Sequence, residues 1–447
     1  MVKDNTNKSK IGIKIALFWY VVFLHILFVI YYKDIFVHNY NGLLFIYNFN
    51  LLKYLLCIVE TVIICYATLR KVDKTSMSDT VMLLLNMLYF LPGAVHQAVT
   101  DMPWGYMVFY FVFWAFMELW LVIIKPRKKT FFGGLFHIKR QNAYWTLLAI
   151  LAIGIIGFMF VYTGNDLSFS TLKATFNDVY GVRAASKAQN IHWIILNFVS
   201  WAAYFSTLAI AYFTEQKKWI RVIALFVGIF ALFIVQANRI TVFLAGCALL
   251  VSVLKLNNRK FVYCLLLIGV ALAFEAVLLH KEGIITDIFR RFSIVPNRLS
   301  EQYFDYFADR VPDLLRSKYP RIVNFLGIES PYYSPSIATI VGHEYYGTDM
   351  NANTGLVGGS MSQFGYASAV ISTLGYVLGF RMFEGVTYRV KSKSVVTAFA
   401  VILVSLVINM YSLLANIFSL TYFLLLYVTL IPISAGNGKE LTEESLK

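Results

Sequence analysis

The residues best equipped for chemistry in this chain are arginines, and most of the candidates lie in one polar stretch, Lys281 to Gln363. Arg316 stands there with Arg310, Lys318 and Arg321 in a basic run punctuated by Pro312 and Pro320, and Arg290-Arg291 form a pair nearer its start. A guanidinium is planar, never loses its charge near neutral pH and donates two parallel hydrogen bonds, which suits a phosphate or diphosphate. Arg183, in Val179-Tyr180-Gly181-Val182-Arg183, and Arg239, after Asn238, occupy two shorter polar segments. A cluster of Arg183, Arg239 and arginines of the long stretch would suit a lipid diphosphate. The stretch also holds nine Asp/Glu against eight Lys/Arg, so a balanced, solvated surface is equally in keeping with it. His343, beside Glu344, is the one histidine of the stretch. An imidazole exchanges protons near neutrality and can serve as a general base; a lone histidine can equally be structural. Gly355, Gly358 and Gly359 either present backbone N–H groups to an anion or make a plain entry into the next span.

Other chemistries find no support. The sequence has no Asp-x-Asp, no Gly-x-x-x-x-Gly-Lys-Ser/Thr, no Gly-x-Ser-x-Gly and no His-Glu-x-x-His, so nucleotide-driven transport and zinc hydrolysis are not indicated. Cys57, Cys65, Cys247 and Cys264 all sit in apolar segments, without metal-ligand spacing. No metal and no cofactor is expected.

The elements that must position these residues are membrane spans. The chain is 59% hydrophobic and 14% charged, with a mean hydropathy of +0.66, whereas a soluble domain carries about 25% charged residues. Crossing the hydrocarbon takes about 20 apolar residues. Twelve segments qualify or nearly do, at roughly 11–32, 48–68, 80–99, 105–124, 142–163, 192–213, 220–237, 240–256, 261–280, 362–385, 394–413 and 417–434. The net charge of +15 could suggest nucleic acid, but the basic residues recur between apolar segments, and topology explains them better. With the N-terminus in the cytoplasm, inner segments carry 21 Lys/Arg and the short outer ones five: Lys33, Lys173, Arg183, Lys187 and Arg239. Both termini are then cytoplasmic, 164–191 is a smaller outer loop, and 281–363 is a large outer loop between the ninth and tenth spans. The expected fold is one all-α polytopic membrane domain over 1–447.

Leu91-Pro92-Gly93 should kink the third span. Only 16 residues separate Arg221 from Asn238 and 15 separate Arg239 from Lys255. Arms of about 22–25 Å fall short of a core of roughly 30 Å. The Gln236-Ala237-Asn238-Arg239 turn should lie below the surface, where Arg239 needs water or an anionic partner unless it snorkels to the headgroups. Lys53 and Glu60 share a face of one span, Glu118 and Glu275 lie in others, and Arg381 and Glu384 have the spacing of a local ion pair. In the long loop, 283–292 and Leu299 to Phe307 read as two amphipathic helices separated by Pro296, the first lying on the membrane surface with its arginines outward.

Together these features resemble the bacterial O-antigen and capsule repeat-unit polymerases (the Wzy type), relatives by fold of the O-antigen ligases. The resemblance rests on the layout of spans and loops, on Tyr180-x-x-Arg183, on Asn238-Arg239 in the tight turn, on Arg316 followed after ten residues by Gly327, and on Asn353-Thr354-Gly355 with Gln363-Phe364-Gly365-Tyr366. The earlier loop departs from the arginine–glycine spacing, with Ile194 where glycine would stand. The resemblance implies a GT-C-like, metal-independent glycosyltransferase of the bacterial plasma (inner) membrane. Its donor and acceptor would be undecaprenyl-diphosphate-linked oligosaccharides, with a chain-length regulator as a further partner and no nucleic acid. It implies that Arg183, Arg239 and Arg316 hold the donor diphosphate, with Arg290, Arg291, Arg310 and Arg321 in reserve. His343 would take the acceptor proton, and Tyr332, Tyr333, Tyr345 and Tyr346 would stack on sugar rings or serve as packing. The rivals are an O-antigen ligase, a transporter of lipid-linked saccharide, with polar sites on broken helices, and a membrane acyltransferase, which needs a buried histidine beside a polar partner; His25 suits that poorly.

Overall fold

The computed structural model describes residues 2–38, 45–126, 140–164, 191–279, 283–318, 336–347, 351–388, 390–409 and 421–434, with Thr171, Lys173, Thr175, Val182, Gly327 and Tyr332. Every regular element among the described residues is helical. The chain runs through α1 (Val2–His25), α2 (Leu51–Lys71), α3 (Met77–Leu85), α4 (Leu91–Gln97), α5 (Trp104–Ile123), α6 (Gln141–Tyr162), α7 (Trp193–Glu215), α8 (Trp219–Gln236) and α9 (Arg239–Val253). It continues through α10 (Asn258–Leu279), α11 (Ile284–Phe289), α12 (Val295–Phe307), α13 (Ile337–Tyr346), α14 (Leu356–Phe364), α15 (Ser368–Thr387), α16 (Lys393–Asn409) and α17 (Thr421–Ser434).

Among the described residues nine helical runs are long and apolar enough to cross a bilayer, as in a multi-pass membrane protein. Helices stand at all twelve expected places, but α9, α16 and α17, with 15, 17 and 14 residues, fall short of that length. The turn between α8 and α9 is as tight as expected. Ala237 closes α8 in the left-handed region at φ 49°, and the Asn238 side chain caps α9 by accepting from the Ile240 N–H at 3.3 Å.

The chain forms two compact units. In the unit of 126–256, 381–402 and 420–447, Trp145 of α6 stacks on Tyr212 of α7, and the Tyr212 hydroxyl donates to Asn142 Oδ1 at 2.7 Å. The expected Arg381–Glu384 pair is formed there at 2.6 Å, with both side chains buried. The unit of 1–125, 257–380 and 403–419 holds α1 to α5 and α10 to α14.

The first part of the long loop departs from expectation. Helix runs unbroken from Ile284 to Phe307, and it is buried within its unit rather than laid on a surface: Thr286, Arg290, Asn297, Ser300 and Glu301 are all inside. Pro296 does not break it, because the π turn Arg290–Ile294 immediately precedes the residues around the proline. Proline removes an N–H and its ring collides with the carbonyl one turn back; a π turn adds a residue and relieves that contact. The third span repeats the device, with the π turn Asn86–Phe90 ahead of Pro92. The side chains of two residues reach carbonyls just ahead of the prolines. Asn297 Nδ2 donates to Tyr89 O at 3.1 Å and to Ser293 O at 2.8 Å, each three residues before one of the prolines, and the Tyr110 hydroxyl donates to Tyr89 O at 3.0 Å. Gly93 makes the crossing possible, since a Cβ there would lie 2.0 Å from Tyr110 Oη and 2.3 Å from Asn297 Oδ1.

Candidate functional site

The sequence-predicted arginines separate into three settings. Arg310 and Arg316 gather beyond the end of α12. The Arg310 guanidinium lies over the Tyr306 ring, 3.6 Å from its centroid, a cation–π contact. Arg316 Nε donates to Asp313 O at 2.7 Å and its NH2 to Pro312 O at 3.0 Å. Both arginines act on Tyr332: burial raises the pKa of this phenol, with Tyr306 adding to the rise, while Arg310 and Arg316 pull it back. Tyr332 packs on Phe307 and donates to Val311 O at 2.7 Å.

The turn that presents Arg316 is unusual. Leu314 and Leu315 are both left-handed, at φ 52° and 63°, a conformation that costs a non-glycine residue about 1 kcal/mol or more. Neighbours enforce it. Asp313 N–H donates to Ser362 O at 2.8 Å, Leu314 N–H to Gln363 O at 2.8 Å and Leu315 N–H to Gln363 Oε1 at 3.0 Å. Asp313 is buried, and its carboxylate accepts from Ser317 N–H at 3.1 Å and from the Ser317 hydroxyl at 2.6 Å. The partner in the arginine–glycine spacing, Gly327, is also left-handed at φ 69°, which glycine alone adopts without cost.

Arg290 and Arg291 are engaged locally. Both pair with Asp287, Arg290 from a buried position and Arg291 from an exposed one at 3.2 Å. The outward-arginine expectation therefore holds for Arg291 and fails for Arg290, which is buried. Arg239, at the exposed start of α9, belongs to the other unit. Arg183, with Tyr180, and Arg321 and Tyr333 lie outside the described residues.

His343 is exposed on α13. That helix is tied to α12 by two phenols: Tyr345 donates to Asp305 Oδ2 and Tyr346 to Gln302 Oε1, both at 2.6 Å. Burial, then the Asp305 hydrogen bond and charge, raise the Tyr345 pKa; burial pushes Tyr346 up to about 12 against the pull of Gln302 and Arg298. Tyr332, Tyr345 and Tyr346 thus spend their hydroxyls on the protein itself, and Tyr306 is the ring that carries an arginine. The glycine run is no anion nest. Gly358 and Gly359 lie inside α14, Gly358 N–H meets Ser300 Oγ at 3.3 Å, and a Cβ on Gly358 would be 2.8 Å from Ser300 Cα.

Sequence reasoning missed a second assembly in the same unit. His96 Nδ1 lies 2.6 Å from Glu301 Oε1, and Tyr32 Oη lies 2.8 Å from His96 Nε2. Arg298 NH1 donates to Glu301 Oε2 at 2.8 Å and to Asp101 Oδ1 at 3.1 Å. Lys53 Nζ donates to Met102 O, not to its face-mate Glu60. The available signals were the i,i+3 spacing of Arg298 and Glu301 and the polar His96-Gln97 pair ending an apolar span. Among the described residues no three His, Cys, Asp or Glu gather as a metal ion would require. A comparison with protein-family models finds no match, and comparisons with curated proteins and with solved structures find none either.

Proposed function

We propose that the protein is a membrane glycosyltransferase that joins lipid-diphosphate-linked oligosaccharide repeat units at the outer face of a bacterial plasma membrane, as an O-antigen or capsule polymerase does. The observation that carries this reading is the Arg316 turn, held left-handed at two leucines beside Arg310 and Tyr306. Strain persists where the surroundings impose it, and it gathers at functional sites. Two guanidiniums beside an aromatic ring fit a diphosphate and the sugar attached to it. In the reaction an acceptor hydroxyl oxygen forms the new bond to the donor sugar carbon, whose bond to the diphosphate oxygen breaks. The hydroxyl proton passes to a base, for which His343 is the candidate, and the lipid diphosphate leaves with its added charge stabilised by Arg310 and Arg316. The sugar–diphosphate bond supplies the energy, without metal or nucleotide.

The test is surface polysaccharide length in the native host after gene deletion and complementation. Wild type and Arg291→Ala should restore long chains, while Arg310→Ala and Arg316→Ala should leave single repeats although the proteins insert normally. Full-length chains with both variants would sink the assignment of the site. One observation favours transport of lipid-linked saccharide instead: the helices are irregular, with π turns at Asn86–Phe90 and Arg290–Ile294 and a break at Gly365 between α14 and α15, and transporters build their sites on irregular helices. In that case the deletion strain lacks saccharide at the outer face altogether. Long chains that stay lipid-linked would point to a ligase.

A further inference from the structure

The polar chain from Asp101 to Tyr32 has no part in the glycosyl-transfer proposal. Its order is hydroxyl, imidazole, carboxylate, with an arginine behind the carboxylate. An ionised Glu301 only accepts, so the hydrogen between it and His96 sits on Nδ1, and Nε2 accepts from the Tyr32 hydroxyl. This is the arrangement in which an imidazole is oriented by a carboxylate and trades a proton with a hydroxyl. The His96 and Glu301 side chains are each 1% exposed, while Asp101, at the far end, is 45% exposed. With a neutral imidazole the site balances, Arg298 and Lys53 against Asp101 and Glu301.

We propose that Tyr32, His96 and Glu301 form a proton-binding site, which takes up one proton on His96 Nε2 and in doing so reverses the Tyr32–His96 hydrogen bond. The incoming proton turns Nε2 from acceptor into donor, so the Tyr32 oxygen must accept and its own hydrogen must turn away. Phe28, Phe36 and Phe45 surround that ring, and among the described residues Tyr32 has no second hydrogen-bond partner. Uptake therefore leaves a stranded hydroxyl and one uncompensated positive charge in a buried place, and both press Tyr32 to move. The remaining charged and titratable groups on the elements around His96 include Tyr20 and His25 on α1, Lys53, Tyr54, Cys57 and Glu60 on α2, Tyr89 in the π turn before α4, Tyr106 and Tyr110 on α5, Asp287, Arg290 and Arg291 ahead of α12, and Tyr346 on α13. Asp287 already holds both of its arginines, and Lys53 is bound to the 100–102 carbonyls, so Glu301 is the anion that meets the imidazole.

The test uses the full-length protein in lipid nanodiscs with 15N-labelled histidine, followed by NMR from about pH 8 to pH 5, where imidazoles change charge. His96→Gln identifies the His96 signals among the seven histidines. Should that variant fail to fold, Tyr32→Phe, which lacks a single oxygen, identifies them by moving the Nε2 signal alone. In wild type, His96 should pass from the Nδ1–H form to the doubly protonated form as the pH falls. Glu301→Gln should lower its proton affinity by about tenfold or more, because the facing anion is gone. A His96 signal that does not change across the range, or one whose midpoint Glu301→Gln leaves in place, would overturn the proposal.

Discussion

Arg298 bridges two carboxylates, donating to buried Glu301 and to Asp101 at once. Arg298→Ala leaves Glu301 buried against His96 alone, and removing one partner of a buried pair costs about 3–5 kcal/mol. The expected outcome is a large loss of thermal stability in detergent. The double variant Arg298→Met/Glu301→Leu should recover most of it, since no unpaired charge remains. If the double variant is as unstable as Arg298→Ala, the loss comes from packing. Glycine 358 makes a smaller demand: Gly358→Ala sets a methyl 2.8 Å from Ser300 Cα and from Thr354 Cγ2. Overpacking of that kind costs about 1–3 kcal/mol, against almost nothing for Gly246→Ala, which meets open space. The residue scale also shows what a sequence can tell. Arg381–Glu384 is readable because both partners lie on one helix and its span is otherwise apolar. Arg298–Glu301 has the same spacing, yet it stands among Asp, Arg and Glu that read as loop surface. Its burial depends on His96 and Asp101, about 200 positions away in the chain, and no local pattern carries that.

Glu275 shows how a charge in an apolar helix can serve the next element. Its carboxylate accepts from the N–H groups of Ile285 at 3.0 Å and Thr286 at 2.8 Å and from the Thr286 hydroxyl at 2.8 Å, so it caps α11 from outside. A Cβ on Gly283 would reach within 2.3 Å of that carboxylate. Glu275→Ala should cost about 1 kcal/mol and speed amide exchange at 285–287, with exchange in α6 unchanged. Another element-scale contact is sensitive to alkali. Tyr346 joins α13 to α12, and burial pushes its pKa up to about 12, above the ordinary tyrosine value near 10. The raised value means that its contribution to stability is complete below about pH 10 and is lost as the pH rises through about 12. Exchange in α13 should rise over that window in wild type. Tyr346→Phe should remove this pH dependence while weakening the contact by about 1 kcal/mol at neutral pH. The sequence marks Leu299, Tyr303, Phe304 and Phe307 as one apolar face, and all four are buried. It does not mark the polar face as buried too, because the groups that satisfy Asn297, Ser300 and Gln302 come from the third span, the 351–355 segment and α13.

At the scale of the whole molecule, hydropathy locates the helices well, because a bilayer rewards one simple property. Orientation is a separate matter and rests on the 21-to-five excess of Lys/Arg in one set of connecting segments. In a cysteine-free background, a cysteine at exposed Leu314 should react with an impermeant thiol reagent added to intact cells, and one at Lys74 only after the membrane is opened. The reverse pattern would invert the topology and remove the Arg316 turn from the outer face. The tight α8–α9 turn was legible from residue counts alone. The left-handed Leu314-Leu315 turn was not, because leucine gives no sign of that backbone and Ser362 and Gln363 impose it from a distant part of the chain.

The π turns at Asn86–Phe90 and Arg290–Ile294 also keep the helices beyond them in phase. Each residue advances an α-helix by about 100°, but a π turn closes i→i+5 bonds and takes up its added residue within one wider turn, so the azimuth beyond it is kept. Deleting Met87 would therefore restore a regular ladder in the third span and leave His96 facing Glu301. Deleting Ala94, which lies beyond the π turn, would instead swing His96 by about 100° away from Glu301. The third span and the 284–307 helix are thus phased against each other like two meshed gears, and a one-residue slip beyond either π turn would have to be matched in the other.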